Sequence, residues 1–321
     1  MAVRGPQPRA VGAENERHLC SPMTVAIAPS VVVSPAPGAS SRLAEADALV
    51  RSMGIPPRPA TLMDLQAEIG KEDPDFQHVT RLVASDVALT AAMLRIVNSP
   101  AYGLTRQCDT VGRAVRMVGL EQIAQIVTGV MLRKALRTDG PQLTRFWDVS
   151  SKRSFALSRL AVELGGGTVD VDVAQSFGLF CDVGIPLLMQ RFPDYGPTLK
   201  ACNAEKVRLF TDVEQERHST DHALIGSVMA RSWGISKNVC QAIRLHHDYG
   251  VFQDPGALDP VCRLIAMGLI AELAIQRFAR LNASTEWDKG GQAAMGSLVL
   301  SDADVEDWIE RLLEWFAQGI V

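Results

Sequence analysis

Apolar residues recur along this chain at steps of three and four, not two. Leu62, Leu65 and Ile69 share one helical face, and so do Leu89, Met93, Leu94 and Val97. Near the C-terminus Val305, Trp308, Ile309, Leu312, Leu313 and Phe316 form a third stripe. Strict alternation occurs only over 168–173, too short to define a sheet. The pattern predicts an all-α protein, with helices over 41–50, 62–69, 75–85, 86–97, 110–117, 120–136, 146–164, 170–180, 187–192, 218–233, 236–247, 258–281 and 301–316. Start signals sharpen these limits. Thr61, Thr110 and Asp221 are expected N-caps, Asp73 before Pro74 is expected to cap the helix that starts at 75, and Ser301 with Asp304 should form a capping box. Asn98 is expected to end its helix in a left-handed conformation, with Pro100 preventing continuation and Gly103 permitting a turn. Gly119 separates two helices, and the run 165–167 of three glycines ends another. Gly119 and Gly226 should let helices approach closely, and Trp233 should anchor a helical core.

Punctuation divides the chain. Residues 1–40 are rich in Pro, Gly, Ala and Ser and read as a disordered leader, with Met23 as an alternative start to Met1. Asp139-Gly140-Pro141 is the strongest internal break. It separates an N-terminal helical half, 41–140, from a second half, 141–283. Residues 284–300 are polar and Gly-rich and read as a linker to the amphipathic helix that completes the segment 284–321. No internal repeat is visible.

Composition narrows the class. The 321 residues are 47% hydrophobic and 21% charged with a formal net charge of −4, which argues against a bulk polyanion binder. Six cysteines (Cys20, Cys108, Cys181, Cys202, Cys240 and Cys262) are scattered with no CxxC spacing, as expected for buried thiols in a reducing compartment. The apolar stretch near residue 30 is too short for a bilayer span of roughly 20 residues and lacks the layout of a signal peptide. No other segment was expected to reach that length without charges, so a soluble, cytoplasmic protein with no membrane contact is the expectation.

Four segments in order carry a family likeness. Asp86 opens a helix that leads through Leu94-Arg-Ile-Val to Asn98-Ser99-Pro100-Ala101-Tyr102-Gly103. Val111 to Leu120 follows, with Gly119 inside it, and then the run Gly178-Leu-Phe-Cys181-Asp182-Val-Gly184. Last comes His222-Ala-Leu-Ile-Gly226, Trp233 and the pair His246-His247. Together they resemble the HDOD family, the HD-related output domains of bacterial signalling proteins, over roughly 52–283. The resemblance implies a multi-helix HD-like domain with an N-terminal helical subdomain. Taken alone, most of these residues read as fold-specifying, with the turn Asn98–Gly103 as a candidate partner-facing loop.

The same resemblance implies the HD superfamily's metal-dependent phosphohydrolysis, with ligands from an early His, a His-Asp doublet and a later Asp. Such a metal would activate water and offset phosphate charge. This sequence departs from that pattern. The doublet falls at Cys181-Asp182, and the stretch after Trp147, where the early His is implied, contains none. We therefore expect a vestigial site, with no catalytic residue, no metal and no cofactor. His246 and His247 are adjacent, about 100° apart on a helix, and are expected to serve helix-end or packing roles without facing one ion. His222 is expected to be packed or hydrogen-bonded. His18, His78 and His218 carry no motif.

Charge marks one more region. From Arg106 to Arg159 ten basic residues face four acidic ones. Arg113, Arg116, Arg133, Lys134 and Arg137 form a candidate interaction patch, although no aromatic stacking motif accompanies them and a nucleic-acid partner is not expected. The expected function is that of a non-enzymatic regulator acting through a protein partner, in bacterial behavioural or cyclic-dinucleotide-linked signalling. The roughly 45 residues before the domain leave no room for a receiver, GGDEF or EAL domain, so a stand-alone regulator is expected. The alternatives are a residual metal-dependent phosphohydrolase or nucleotide-binding domain, and a nucleic-acid-binding regulator using residues 106–159.

Overall fold

A computed structural model describes residues 48, 52, 58–136, 141–253, 259–280 and 285–318. The leader 1–40, all of the helix expected over 41–50 except Ala48, Cys20, Met23 and Arg137 lie outside the described residues. Among those described, every regular element is helical.

The first five helices are α1 (Ala60–Ile69), α2 (Phe76–Ala84), α3 (Val87–Val97), α4 (Val111–Val118) and α5 (Leu120–Ala135). Their apolar stripes meet. Leu62 and Leu65 of α1, Val79 and Val83 of α2, Leu89 and Met93 of α3, and Ile123 and Val127 of α5 are all buried. Asp86 caps α3 by accepting from the Leu89 amide at 3.0 Å. Thr110 caps α4 and Asp221 caps the helix that begins at His222, as expected. Two expected caps are displaced. The cap of α2 is Asp75, not Asp73, with its carboxylate accepting from the Gln77 amide. Thr61 lies inside α1, which starts after Pro59 with no side-chain cap.

Asn98 also corrects the expectation. Its backbone is not left-handed (φ −83°); its side-chain amide instead donates to Cys108 O at 2.8 Å and accepts from Cys108 N at 2.7 Å. A side chain that can both give and take a hydrogen bond thus closes the loop between α3 and α4, with Ser99 at the N-cap of the short 3₁₀ turn Pro100–Tyr102. Gly103 supplies the left-handed turn at φ 56°. Gly119, at φ 87°, sets α4 and α5 at 120° to each other.

The remaining helices are α6 (Pro141–Leu164), α7 (Val171–Phe180), α8 (Gly184–Arg191), α9 (Tyr195–Ala204), α10 (Phe210–His218), α11 (His222–Ser232), α12 (Lys237–Leu245), α13 (Asp259–Ala279), α14 (Glu286–Leu298) and α15 (Asp302–Ala317). Helix α5 packs on α7, joining the first five to the rest. The long α13 is the hub, packed on α6, α12, α14 and α15. Segment 284–300 contains α14, contrary to the linker reading. Its glycines are accommodated where aromatic rings press on the backbone: a Cβ at Gly290 would lie 2.6 Å from the Tyr249 ring. Helices α9 and α10 fall where no helix was expected, because they carry few apolar residues. α15 has the expected capping box, and Val305, Trp308, Ile309, Leu312 and Phe316 close the core.

Segment Val171–Arg191 is long and apolar enough to cross a membrane by length and composition, although, as expected of every such stretch, it carries charges, Asp182 among them. It is broken at Cys181–Val183 into α7 and α8 and is 61% buried within the fold, as a core segment is. At that break α8 meets α11 with almost no gap. A Cβ at Gly184 would lie 2.1 Å from His222 O, and one at Gly226 would lie 3.3 Å from Gly184 N. Trp233, 1% exposed, packs edge-on against Phe180 behind this contact.

Candidate functional site

The close approach of α8 and α11 places Asp182 beside the first residue of α11. Five helices then converge on one buried polar cluster. α6 brings Arg153, the α7–α8 turn brings Cys181 and Asp182, and α10 brings Glu214. α11 brings His222, the end of α12 brings His246 and His247, and α13 brings Glu272.

Arg153 is 5% exposed and sits between two carboxylates. Its Nη2 donates to Glu272 Oε2 at 2.6 Å, and its Nη1 lies 2.7 Å from Asp182 Oδ2 in an ion pair without hydrogen-bond alignment. The other oxygen of Asp182 faces the imidazoles, 3.3 Å from His246 Nε2 and 3.7 Å from His222 Nε2. Burial opposes the charge on Asp182, but the Arg153 guanidinium and the two imidazoles hold its carboxyl well below the usual range.

Each histidine is fixed through Nδ1. That of His222 lies 2.7 Å from Glu214 Oε2, and Tyr195 OH donates to the other oxygen of Glu214. His246 Nδ1 lies 2.7 Å from Ile243 O, and His247 Nδ1 lies 2.7 Å from Glu286 Oε2. Carbonyl and carboxylate oxygens only accept, so each Nδ1 carries a proton. Burial opposes charge on His222, but the Glu214 carboxylate outweighs it and raises the pKa. His246 is likewise raised, by Cys181 and Asp182 against burial. His247 is lowered to about 4, by burial first and then by its neighbour His246. Phe210 stacks flat on His247 at 4.6 Å and meets His222 edge-on. Glu286 also accepts from Tyr249 OH at 2.5 Å and from Lys289 at 2.8 Å.

The expectation that His246 and His247 could not face one point is corrected. Helix α12 ends at Leu245, so the 100° helical step no longer applies beyond it, and the two rings lie 4.1 Å apart between centroids. His222, His246 and His247 each offer a ligand atom within 4.8 Å of the others, and so do Cys181, Asp182 and His246. His222 is hydrogen-bonded, as the sequence suggested. Asp86, Asn98, Ser99, Tyr102, Gly103 and Gly119 belong to the α3–α5 turns, Gly226 and Trp233 to the packing of α11. Sequence reasoning missed Arg153, Glu214, Glu272 and Glu286. Glu214 was accessible in principle, since it lies one turn after Phe210 on the buried face of α10.

The cluster opens on a cavity of about 590 Å³. Phe146, Phe177, Leu199 and Leu269 supply apolar wall, and the exposed Arg145 and Lys200 supply positive charge. The candidate basic patch is largely engaged elsewhere. Lys134 pairs with Asp86 at 3.3 Å, Arg113 lies 4.0 Å from Asp109, and Arg133 lies over the Trp147 ring.

Comparison with known proteins identifies the family and the fold. The model of the HDOD domain family matches residues 55–249. An uncharacterized protein of Treponema pallidum is 25% identical over 196 residues, 60% of this chain and 38% of that protein. The chain thus spans well under half of that relative's length. An HDOD domain protein from Geobacter sulfurreducens superimposes with a TM-score of 0.64 at 19% identity, covering 88% of this chain and 96% of that one. A Shewanella amazonensis protein provisionally named a phosphohydrolase superimposes at 0.64 with 21% identity over 85% and 96% of the two chains. At these identities the likeness to solved structures establishes the fold.

Proposed function

The chain belongs to the HDOD domain family, and from that premise we propose that it is a non-hydrolytic signalling regulator acting through a protein partner in the bacterial cytoplasm. The circuit expected from the family likeness is a behavioural one, linked to cyclic dinucleotides.

Arg153 carries this reading. The stretch of α6 where an HD hydrolase would be expected to supply its first histidine delivers a guanidinium, bound to Asp182 and Glu272. A guanidinium stays protonated and offers five donors in a fixed plane. It neutralises carboxylates and orders them, but it has no open coordination position and generates no hydroxide. Cys181 stands in for the doublet's histidine, and its thiol is buried. The cluster therefore has the makings of a rigid polar core at the base of a pocket, with the five helices and the α7–α8 turn around it held in one arrangement. Output through such a fold requires a partner surface; the turn Asn98–Gly103 and the partly engaged basic residues of α4 and α5 are candidates.

A second reading, metal-dependent phosphohydrolysis, is favoured by one observation: Asp182, His222 and His246 turn acceptor atoms toward one another. One assay separates the two. Purified protein supplied with Mn²⁺ or Mg²⁺ is offered cyclic dinucleotides and a generic phosphodiester. The regulator reading expects no turnover above a protein-free blank. Turnover that Asp182→Asn abolishes would overturn it and put the hydrolase first.

A further inference from the structure

We propose that the outer part of the cavity, above the polar cluster, binds a small amphiphilic anion: a single apolar chain ending in a carboxylate, with the chain inside and the carboxylate at the mouth beside Arg145 and Lys200. The proposal goes beyond the regulator reading by giving the fold a small-molecule input, and it assigns no role to the groups of the buried cluster.

The walls are the first argument. Phe146 and Val149 of α6, Ile185 and Met189 of α8, and Leu199 of α9 line the cavity with apolar side chains that the fold leaves only part-buried. Deeper in, the lining side chains Phe177, Ile265 and Leu269 are buried. Apolar surface left partly in water around a concave volume is what an apolar chain covers with gain. At about 590 Å³ the cavity falls within the range of roughly 300–1,000 Å³ that holds small molecules.

Charge is the second argument. Arg145, Arg153 and Lys200 line the cavity and differ in what they have left to offer. Arg153, at the base, is taken up by Asp182 and Glu272. His222 and His246 likewise face the carboxylates of Glu214 and Asp182. Arg145 of α6 and Lys200 of α9 are exposed, and among the described residues neither stands in an ion pair. Lys152, on the same helix as Arg145, is by contrast paired with Asp148. Unengaged positive charge is therefore found at the mouth and not at the base. From outside inward the order is cation, then apolar wall, which matches a chain with one charged end. A nucleotide fits this order poorly. With its phosphate at the mouth, its sugar and base would lie against Val149, Ile185, Met189 and Leu199, whose side chains offer no hydrogen bond.

Helix α9 is the wall that can adapt. Its Cys202 packs with Phe210 and Val213 of α10 in a small apolar cluster apart from the main core. The side that carries Leu199 and Lys200 can shift without disturbing that core, and a ligand spanning α6 and α9 should order it.

The test titrates octanoate, decanoate and dodecanoate, each below its micelle concentration, into the full chain by calorimetry at low salt. Saturation at one equivalent is expected, with affinity rising about fourfold for each methylene that enters the cavity. Amide exchange in α9 should slow when decanoate is bound. Arg145→Glu combined with Lys200→Glu, both at exposed positions, should weaken decanoate at least tenfold and leave the uncharged decanol within twofold. Val149→Trp fills the cavity from its part-buried wall and should abolish binding of both. Circular dichroism checks that each variant keeps the parent's helicity. A decanoate carrying a photoreactive diazirine needs no variant, and cross-links are expected on peptides from α6, α8 and α9. Absence of saturable binding to the folded parent would overturn the proposal. So would an affinity independent of chain length, cross-links confined to other helices, decanoate binding unchanged in the folded charge-reversal variant, or a cyclic dinucleotide that displaces decanoate at equal concentration. The turnover assay above decides the regulator reading separately.

Discussion

Replacing Arg153 by methionine tests how the buried cluster is held together. The side chain is 6% exposed and lies 2.7 Å from Asp182 and 2.6 Å from Glu272. At an effective dielectric near 20, unit charges at that separation attract by roughly 6 kcal/mol. Most of that is cancelled in the intact protein by the desolvation of the guanidinium. Truncation, however, removes the cation and leaves Asp182, 17% exposed, without its main counter-charge. Breaking one side of a buried pair typically costs about 3–5 kcal/mol. Because Glu272 is 30% exposed and can recover solvent, we take the lower end, about 3 kcal/mol. With a urea m-value near 3 kcal/mol/M, the unfolding midpoint should fall by about 1 M. Unfolding should be followed by circular dichroism with a chelator present, so that no bound ion substitutes for the lost cation. Arg153→Lys keeps the charge but cannot span both carboxylates, and should lose about half as much. A methionine variant within about 0.5 kcal/mol of the parent would refute the reasoning, because desolvation would then outweigh pairing at this site.

Three further predictions concern positions that shape the fold around the cluster. Asp86→Ala removes the cap of α3 and the partner of Lys134, and should destabilise the protein by about 1 kcal/mol at neutral pH. The Leu89 amide and then Lys134 hold the Asp86 carboxyl below its ordinary 3.8. Its contribution is therefore full above that value and is lost as the pH falls through the depressed one, so parent and variant should converge in acid unfolding experiments. Asn98→Ala breaks both hydrogen bonds to Cys108 and should cost about 2 kcal/mol, with faster amide exchange at Cys108 as its local signature. Gly184→Ala places a methyl group 2.1 Å from His222 O, against backbone that cannot rotate away. A loss of about 3 kcal/mol or more in chemical denaturation is expected, with Ser227→Ala on the facing helix α11 as a mild control.

Much of the molecule is legible in its sequence. Helical periodicity identified α3, α5, α13 and α15, because each buries one stripe along its length and that stripe is written at intervals of three and four. The caps at Thr110, Asp221 and Ser301 could be read because a cap acts on backbone amides two or three residues away, inside the reading window. The family likeness rests on turns of the same local kind. Helices α9, α10 and α14 escaped because their stability comes from the surfaces they cover, which periodicity does not report. Gly290 shows this plainly: glycines that suggest a linker are the residues that let α14 approach Tyr249.

The cluster itself was decided by tertiary structure. Arg153 and Asp182 are 29 positions apart and Arg153 and Glu272 are 119 apart, so no local pattern links them. His246 and His247 look divergent on a continuous helix and convergent only once α12 is seen to stop at Leu245. The sequence alone determined the strongly amphipathic helices, the starts after Thr110, Asp221 and Ser301, and that the doublet reads Cys181-Asp182. Only the packing of α6, α7, α11, α12 and α13 decided that a guanidinium and two imidazoles would share one carboxylate, because directional contacts between distant residues depend on the helices' three-dimensional placement.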